Sequence, residues 1–211
     1  MNPDEKASRR DGRHARGDRS RALVLEQSMR IASVEGLEGL TLGRLAADVA
    51  VSKGNLVTLF GTKEALQIAT LDAAVGVFIK RVIAPSEGVV AAPLARLRAV
   101  NDAFFAYVTS GIFPGGCILY ATANEYRAKP GPLRDRALRY YDMWYAYLLD
   151  LVQRARDAGE IAADADPSAV TFELMAFQQA ANTARLLDRG DDAVARAASL
   201  TRARLDALAT V

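Results

Sequence analysis

Apolar residues between positions 41 and 66 recur every three or four residues, the spacing that places side chains on one face of an α-helix. The first run follows Thr41, a favourable helix N-cap. It consists of Leu42, Leu45, Ala46 and Val49. The second run follows Ser52 and consists of Leu56, Leu59 and Phe60. Because only two residues separate the runs, the pattern predicts two short helices joined by a tight turn.

A third helix is needed, because two helices of about two turns each cannot bury both apolar faces by themselves. Residues 22–35 provide this helix, and Gly36 marks its end. Its packing face consists of Val24, Leu25, Ser28, Ile31 and Ala32. After the second short helix, Gly61 is the stop and Thr62 caps a further helix. Three small helices with a tight turn between the last two form a helix-turn-helix unit, whose final helix fits a DNA major groove.

The residues of this region resemble the DNA-binding domain of the TetR family of transcriptional regulators. The matching residues are Gly36, Thr41, Leu42, Leu45, Ala46, Val51, Ser52, Lys53, Gly54, Leu56, Phe60, Lys63, Glu64, Ala65 and Leu66. The resemblance covers residues 21–66 closely, and beyond them it extends only to chain length and number of helices. It implies a bacterial, cytoplasmic homodimer that binds double-stranded DNA at a palindromic operator.

Eight residues are the candidate DNA contacts: Thr41, Arg44, Ser52, Lys53, Gly54, Asn55, Thr58 and Lys63. Thr41 and Arg44 begin the first helix of the motif and are expected at the phosphate backbone. In the N-terminal turn of the recognition helix, Lys53 suits guanine O6 and N7, and Asn55 suits adenine N6 and N7. Lys63 resembles a phosphate-contacting lysine of the family, the alternative being a solvated lysine.

The recognition helix departs from the family in its second half. Where the family usually carries aromatic or histidine residues, with a tyrosine that contacts phosphate, this chain has Val57, Thr58 and Leu59. A valine cannot donate a hydrogen bond to phosphate, although it fits the methyl group of thymine. The expected fold is unaffected, but no operator sequence can be transferred from the family.

Residues 67–211 are predicted to form a second, helical domain for effector binding and dimerisation. Helices are expected near residues 63–81, 94–110, 117–128, 133–159, 167–190 and 191–210, separated by glycine- and proline-containing segments. No alternating apolar pattern of useful length predicts a strand. The expected fold class is all-α, with about nine helices, and the DNA-binding domain spans residues 21–66.

Aromatic residues are concentrated in the middle of the chain. Eleven of the fifteen, including all seven tyrosines, lie between Phe104 and Tyr147. An aromatic at helical spacing is usually core, but seven tyrosine hydroxyls need hydrogen-bond partners, which a pocket for an aromatic or amphipathic molecule explains. The resemblance places the effector cavity among the same helices. The candidate lining residues are Phe104, Val108, Cys117, Tyr120, Asn124, Tyr141, Trp144, Tyr145 and Gln178.

Cys117 is the single cysteine, so the chain has no disulfide framework. It follows two glycines at the expected start of a helix, where the helix N-terminus lowers the pKa of a thiol. A thiol-sensing regulator is therefore an alternative to a ligand-responsive one. The other interpretation of Cys117 is an inert buried side chain.

The last two predicted helices carry faces of small residues. These are Ala176, Ala180, Ala181, Ala184, Ala193, Ala197, Ala198 and Ala203. Such faces pack closely either within one protomer or between two, and the resemblance implies a four-helix dimer interface. A two-fold dimer also suits DNA, because its two recognition helices reach half-sites about one helical turn (~34 Å) or a multiple apart.

Charge is a weak guide to function here. The net charge is only +2, so basicity alone does not predict nucleic-acid binding. Residues 1–20 are locally basic and predict a flexible arm, disordered when free, whose arginines enter a minor groove on DNA. The arm's basic residues and the single histidine are Lys6, Arg9, Arg10, Arg13, His14, Arg16 and Arg19. Neither a membrane span nor a secretory h-region is found, which predicts a cytoplasmic protein.

No motif predicts an enzyme, since HExxH, paired Cys/His ligands and a phosphate-binding glycine loop are all missing. We therefore expect no catalytic residue, cofactor or metal. A further alternative is a helical ligand-binding or interaction protein with weak DNA binding, for which Val57 and Leu59 are the hint. The favoured interpretation is a ligand-responsive dimeric transcriptional regulator, a repressor released from its operator by a small hydrophobic or aromatic effector.

Overall fold

The structure, a computed structural model, describes residues 3–88 and 92–210. Its helices are α1 (Pro3–Glu35), α2 (Leu42–Asp48), α3 (Lys53–Phe60), α4 (Lys63–Phe78), α5 (Ala84–Glu87), α6 (Pro93–Thr109), α7 (Ile118–Tyr126), α8 (Pro132–Asp157), α9 (Pro167–Ala184) and α10 (Gly190–Leu208). The π-helical turns Ile79–Ile83 and Arg185–Arg189 join α4 to α5 and α9 to α10. The predicted all-α fold is confirmed. The described residues form nine helices when the four-residue α5 is taken as the end of α4.

The helix starts of the DNA-binding region follow from local side-chain caps. The hydroxyls of Thr41, Ser52 and Thr62 accept backbone N–H groups at 3.3, 3.1 and 3.1 Å, at the starts of α2, α3 and α4. Each satisfies an N–H that has no partner inside its helix. The turn between α2 and α3 passes through Ala50, whose φ of 51° lies in the left-handed region. The predicted helix-turn-helix boundaries therefore match the observed ones.

Helix α1 supplies the third side of this unit, as expected, and Val24, Ser28, Ile31 and Ala32 are buried. It is longer than predicted, because the helix begins at Pro3 and includes most of the expected flexible arm. Alanine, arginine and glutamate favour helix, and a packed C-terminal half supports propagation toward the N-terminus. The side chains of residues 1–16, including six of the arm's seven basic and histidine residues, lie outside the described part.

The C-terminal region packs around one core. Helices α6, α8, α9 and α10 pack side by side, and α7 lies between α8 and the DNA-binding helices α1 and α4. Helix α4 begins at the DNA-binding unit and ends in the aromatic core at Phe78, so the predicted boundary at residue 66 falls within a continuous helix. Across residues 3–88 and 92–210, no helix is long and apolar enough to span a bilayer.

Candidate nucleic-acid interface

Helix α3 presents its N-terminal turn to solvent while its apolar face is buried. Leu56 and Phe60 are buried, and α3 packs against α2 and α4, which fixes how the helix is rotated. Lys53, Gly54 and Asn55 are exposed, and Thr58, one turn later, is exposed as well and donates to the Gly54 carbonyl at 3.0 Å. The local pattern thus leaves the residues predicted to read bases free to meet a groove.

All eight predicted DNA contacts are exposed: Thr41, Arg44, Ser52, Lys53, Gly54, Asn55, Thr58 and Lys63. Ser52 uses its hydroxyl to cap α3, and Thr41 does the same for α2, so these two hydroxyls already have a partner. Val57 is 46% exposed beside them and places an apolar group on the same helix. The exposed surface is therefore mixed, with donors at the helix start and a methyl-sized contact further along.

Arg44 and Lys63 are less free than the sequence indicates. Arg44 is hydrogen-bonded to Glu35 and lies 3.8 Å from Asp48, and this bond from Arg44 holds the pKa of Glu35 below its ordinary value. Lys63 donates to the Glu38 carbonyl at 3.0 Å and to its carboxylate at 3.2 Å, so it is an exposed lysine that is paired with an acidic residue. In each case the carboxylate partner competes with phosphate for the cation.

Arg21, on α1, contacts the C-terminal end of the recognition helix, a role that the sequence pattern did not reveal. Its guanidinium lies 4.4 Å from the centre of the Phe60 ring and donates to the Leu59 carbonyl at 2.7 Å. Both contacts join α1 to the last turn of α3. No motif signals this pair, because the residues are 38 and 39 positions apart in the sequence.

The predicted effector residues divide into a buried group and a peripheral one. Gln178 is at the centre of the buried group, and its side-chain oxygen accepts from the Tyr120 hydroxyl and the Trp144 indole N–H, both at 2.9 Å. Its amide nitrogen donates to Asn101 at 2.9 Å. Four helices, α6 to α9, thus meet at a network of neutral polar side chains. Since its members bond to one another, they fill the core rather than line an open cavity.

Aromatic side chains surround this network. Phe104 packs edge-on against Phe78 and Tyr120, with ring centres 6.3 and 5.9 Å apart, and Val108 and Cys117 are buried nearby. Tyr141 meets Tyr120 at 6.3 Å. The peripheral candidates are Asn124, which accepts from Gln179, and the half-buried Tyr145.

Tyr107 is a core tyrosine that the sequence-based candidates omit. It lies one turn after Phe104, is 5% exposed, and packs edge-on against Phe78 and Phe113. Its buried hydroxyl has no hydrogen-bond partner among the described residues, and burial raises its pKa well above the ordinary value. Helical spacing from Phe104 within the aromatic-rich segment was the available signal for this residue.

Of the two interpretations of Cys117, the structure supports the inert buried side chain and not the thiol sensor. Cys117 caps the start of α7 as expected, but it is 1% exposed, and burial raises the pKa of its thiol to about 11. Its backbone N–H and carbonyl both bond to the Asn182 side chain. Burial among apolar groups outweighs the helix N-terminus, so the observed site is that of an inert thiol.

The small-residue face of α9 and α10 lies partly inside the protomer and partly outside. Ala181, Ala197 and Ala198 are buried within the protomer, which accounts for them without a partner copy. The outer side forms an open groove of about 360 Å³, lined by residues that include Ala180, Ala184 and Ala193. Large apolar side chains are exposed on these two helices and the turn that joins them: Phe172, Leu186, Leu187 and Leu200. An exposed apolar face of this kind is typical of a protein interface.

Comparison with known proteins supports the same assignment. Residues 93–201 match the family described as "Tetracyclin repressor-like, C-terminal domain". Among curated proteins the sequence has no significant match.

Solved structures share the fold. A TetR transcriptional regulator from Chloroflexus aurantiacus superimposes with a TM-score of 0.83 at 22% identity, over 92% of this chain and 98% of that chain. A TetR-family regulator from Streptomyces coelicolor gives 0.76 at 22% identity, over 90% and 96%. AibR, solved with isovaleryl coenzyme A and operator DNA, gives 0.66 at 21% identity, over 78% and 86%. Because the matched family domain spans more than half of its residues, the chain belongs to the TetR family of transcriptional regulators.

Proposed function

We propose that the protein is a dimeric repressor that binds a palindromic operator and leaves it when a small hydrophobic or aromatic molecule binds. The observation that carries this proposal is that the N-terminal turn of α3 is exposed while the apolar face of the same helix is buried in the helix-turn-helix unit. AibR, a structural relative, was solved with both operator DNA and isovaleryl coenzyme A, which supports pairing the two activities. The protein acts where the DNA is, in the cytoplasm, and its proposed action includes no catalytic step.

Base contacts are assigned to the start of α3. Lys53 donates to guanine, and Asn55 forms the paired hydrogen bonds that adenine offers. A Cβ added at Gly54 would have only the Ser52 hydroxyl nearby, 3.9 Å away, so packing inside the protomer does not require glycine there. Close approach of the DNA is a reason for a glycine at this exposed position. Thr41, Arg44, Thr58 and Lys63 contact the backbone.

The effector binds where α6 to α9 meet. The Gln178 network is closed in this structure, so a ligand must exchange its own polar groups for those of Tyr120, Trp144 and Gln178. Phe78 touches Trp144 with ring centres 4.9 Å apart, and it ends the helix that begins at Lys63. Opening the network therefore moves the aromatic end of α4 and shifts the population away from the DNA-binding arrangement.

A gel-shift assay with the DNA that flanks the gene for this protein tests the proposal. Wild-type protein should retard this DNA specifically, and a set of aromatic and acyl compounds should contain one that releases it. The double variant K53A/N55A, altered only on the exposed side of α3, should not retard it. Equal retardation of flanking and unrelated DNA by the wild type would refute the proposed function.

A further inference from the structure

The turn that follows α1 is held by a carboxylate from the other domain. Glu125, near the end of α7, accepts the backbone N–H of Leu37 at 2.9 Å and that of Glu38 at 3.0 Å, one with each carboxylate oxygen. These residues are 88 and 87 positions apart in the sequence. Hydrogen bonds to an ionised group are stronger than those between neutral groups, so this is a firm link between the two domains.

Gly36 is shaped to admit this carboxylate. Its φ of 75° is a left-handed conformation that favours glycine, and it ends α1. A Cβ added there would lie 2.7 Å from both oxygens of Glu125, closer than real side chains approach. The backbone conformation favours glycine at this position, and a Cβ there would displace the carboxylate, so both hydrogen bonds to Glu125 depend on Gly36.

Two neighbouring contacts strengthen the link. The Tyr126 hydroxyl donates to the Glu38 carboxylate at 3.0 Å, and the Gln67 side chain donates to the Leu37 carbonyl at 2.7 Å. Because Tyr126 donates to it and Lys63 donates as well, the pKa of Glu38 lies below its ordinary value and the side chain stays charged. The segment 36–38 is therefore fixed from α7 and from α4 together.

We propose that Glu125 is a positioning residue for operator binding. Its carboxylate fixes the orientation of the DNA-binding domain relative to the C-terminal region of the dimer, so that both α3 helices meet the operator together. The proposal rests on the proposed function, because it assigns a route for its regulation. Tyr120, a member of the buried network, lies on the same helix as Glu125. A movement of α7 caused by effector binding is transmitted through Glu125 to the turn after α1.

A positioning role has a consequence that simple stabilisation lacks. One DNA-binding domain can bind a single half-site whatever its direction relative to the partner domain. Simultaneous binding of two half-sites depends on the effective concentration of the second DNA-binding domain at the second half-site. This concentration falls when the link through Glu125 is loosened. Losing Glu125 must therefore weaken binding to the full operator more than binding to one half-site.

The test compares Glu125→Gln with the wild type on two duplexes. One is an operator selected from a random duplex library by the wild-type protein, and the other is the same duplex with one half scrambled. Glutamine keeps the size of the side chain, but its NH2 group is a donor and cannot accept a hydrogen bond from the backbone N–H that it faces. We expect the ratio of full-site to half-site affinity to fall about tenfold, with half-site affinity unchanged. Asp150→Asn, which alters an exposed carboxylate on α8, should leave the ratio unchanged.

Equal losses on both duplexes, or an unchanged ratio, would overturn the positioning role. If Glu125→Gln does not fold, Tyr126→Phe provides the same comparison, because it removes one hydrogen bond to the turn and keeps the ring; its ratio must fall in the same direction. A wild type that selects no operator refutes the proposed function itself, which is a separate result from an unchanged ratio.

Discussion

At the scale of single residues, recognition depends on which side chains of α3 are left exposed. Leu56 and Phe60 are buried, and this alone turns Lys53 and Asn55 outward. The predicted contacts at the start of the helix are therefore a direct result of the apolar spacing. Val57, 46% exposed, presents an apolar group that cannot donate to phosphate.

Replacing Asn55 with alanine should weaken operator binding by about 1–3 kcal/mol, because the paired hydrogen bonds to adenine are lost. It should also relax the preference at a single base position in each half-site. Binding titrations with the operator and its single-base variants measure both effects. Gln153→Ala, an exposed substitution on α8, is the matched control. A loss that is the same at every base position would contradict direct reading of a base by Asn55.

The buried Cys117 thiol predicts a specific loss of stability at alkaline pH. Burial raises the pKa of the thiol from 9.0 to about 11 in the folded protein. The contribution of the protonated thiol to the free energy of unfolding is therefore complete below pH 9 and is lost as the pH approaches 11. The free energy of unfolding should therefore fall more steeply between pH 9 and 11 for the wild type than for Cys117→Ala. Denaturant titrations at several pH values measure this. Identical slopes, or rapid reaction of native Cys117 with a disulfide reagent at pH 8, would contradict its burial.

At the scale of helices, the chain combines features that are local with features that are not. Thr41, Ser52 and Thr62 cap their helices through N–H groups three residues away, so the sequence reveals them directly. The Gln178 network and the Glu125 link join residues 34 to 88 positions apart. No spacing rule relates such residues, because their proximity depends on how whole helices pack.

Replacing Gln178 with alanine tests the network that joins α6 to α9. It leaves the Tyr120 hydroxyl, the Trp144 indole N–H and the Asn101 side-chain oxygen without their partner. Each unpaired buried group costs about 1–3 kcal/mol, so the free energy of unfolding should fall by at least about 3 kcal/mol. Gln179→Ala on the same helix removes one weak, half-buried contact and is the control. Equal stability of the two variants in denaturant titrations would show that the network does not stabilise the core.

The sequence was informative for α3 and less so for the effector region. Phe104, Tyr120, Trp144 and Gln178 do come together, because the aromatic-rich segment supplies adjacent helices. Two interpretations of Cys117 stayed open at the sequence level, because the helix position of a residue is visible in the sequence whereas its burial is not. The first part of α1 was predicted as a flexible arm because the packing that supports this helix involves its C-terminal half, which is distant in sequence.

At the scale of the whole molecule, the exposed face of α9 and α10 is the candidate interface between two copies. Phe172, on α9, is 72% exposed, and Leu187, on the π-helical turn between α9 and α10, is 68% exposed. Pairing of this face with a second copy would bury these side chains and place two α3 helices in one particle. Dimerisation and DNA recognition are thus linked requirements.

Introducing a charge at Ala180 should produce monomers. Ala180 is exposed and lines the groove between α9 and α10, so Ala180→Glu places an unpaired carboxylate in the interface without disturbing the protomer. Ala181, which is buried, is unsuitable for this test. Sedimentation should show half the wild-type mass with unchanged helix content, whereas Ala146→Glu on the exposed side of α8 should remain dimeric. A dimeric Ala180→Glu protein would place the interface elsewhere.

Selection of DNA from a random duplex library by the wild-type protein tests whether two exposed α3 helices read one operator together. The enriched sequences should share an inverted repeat, with half-sites about one helical turn (~34 Å) or a multiple apart. Asn55→Ala should relax the preference for the same base in both halves. Enrichment of no sequence, or of one without two-fold symmetry, would show that the two helices do not read one operator together.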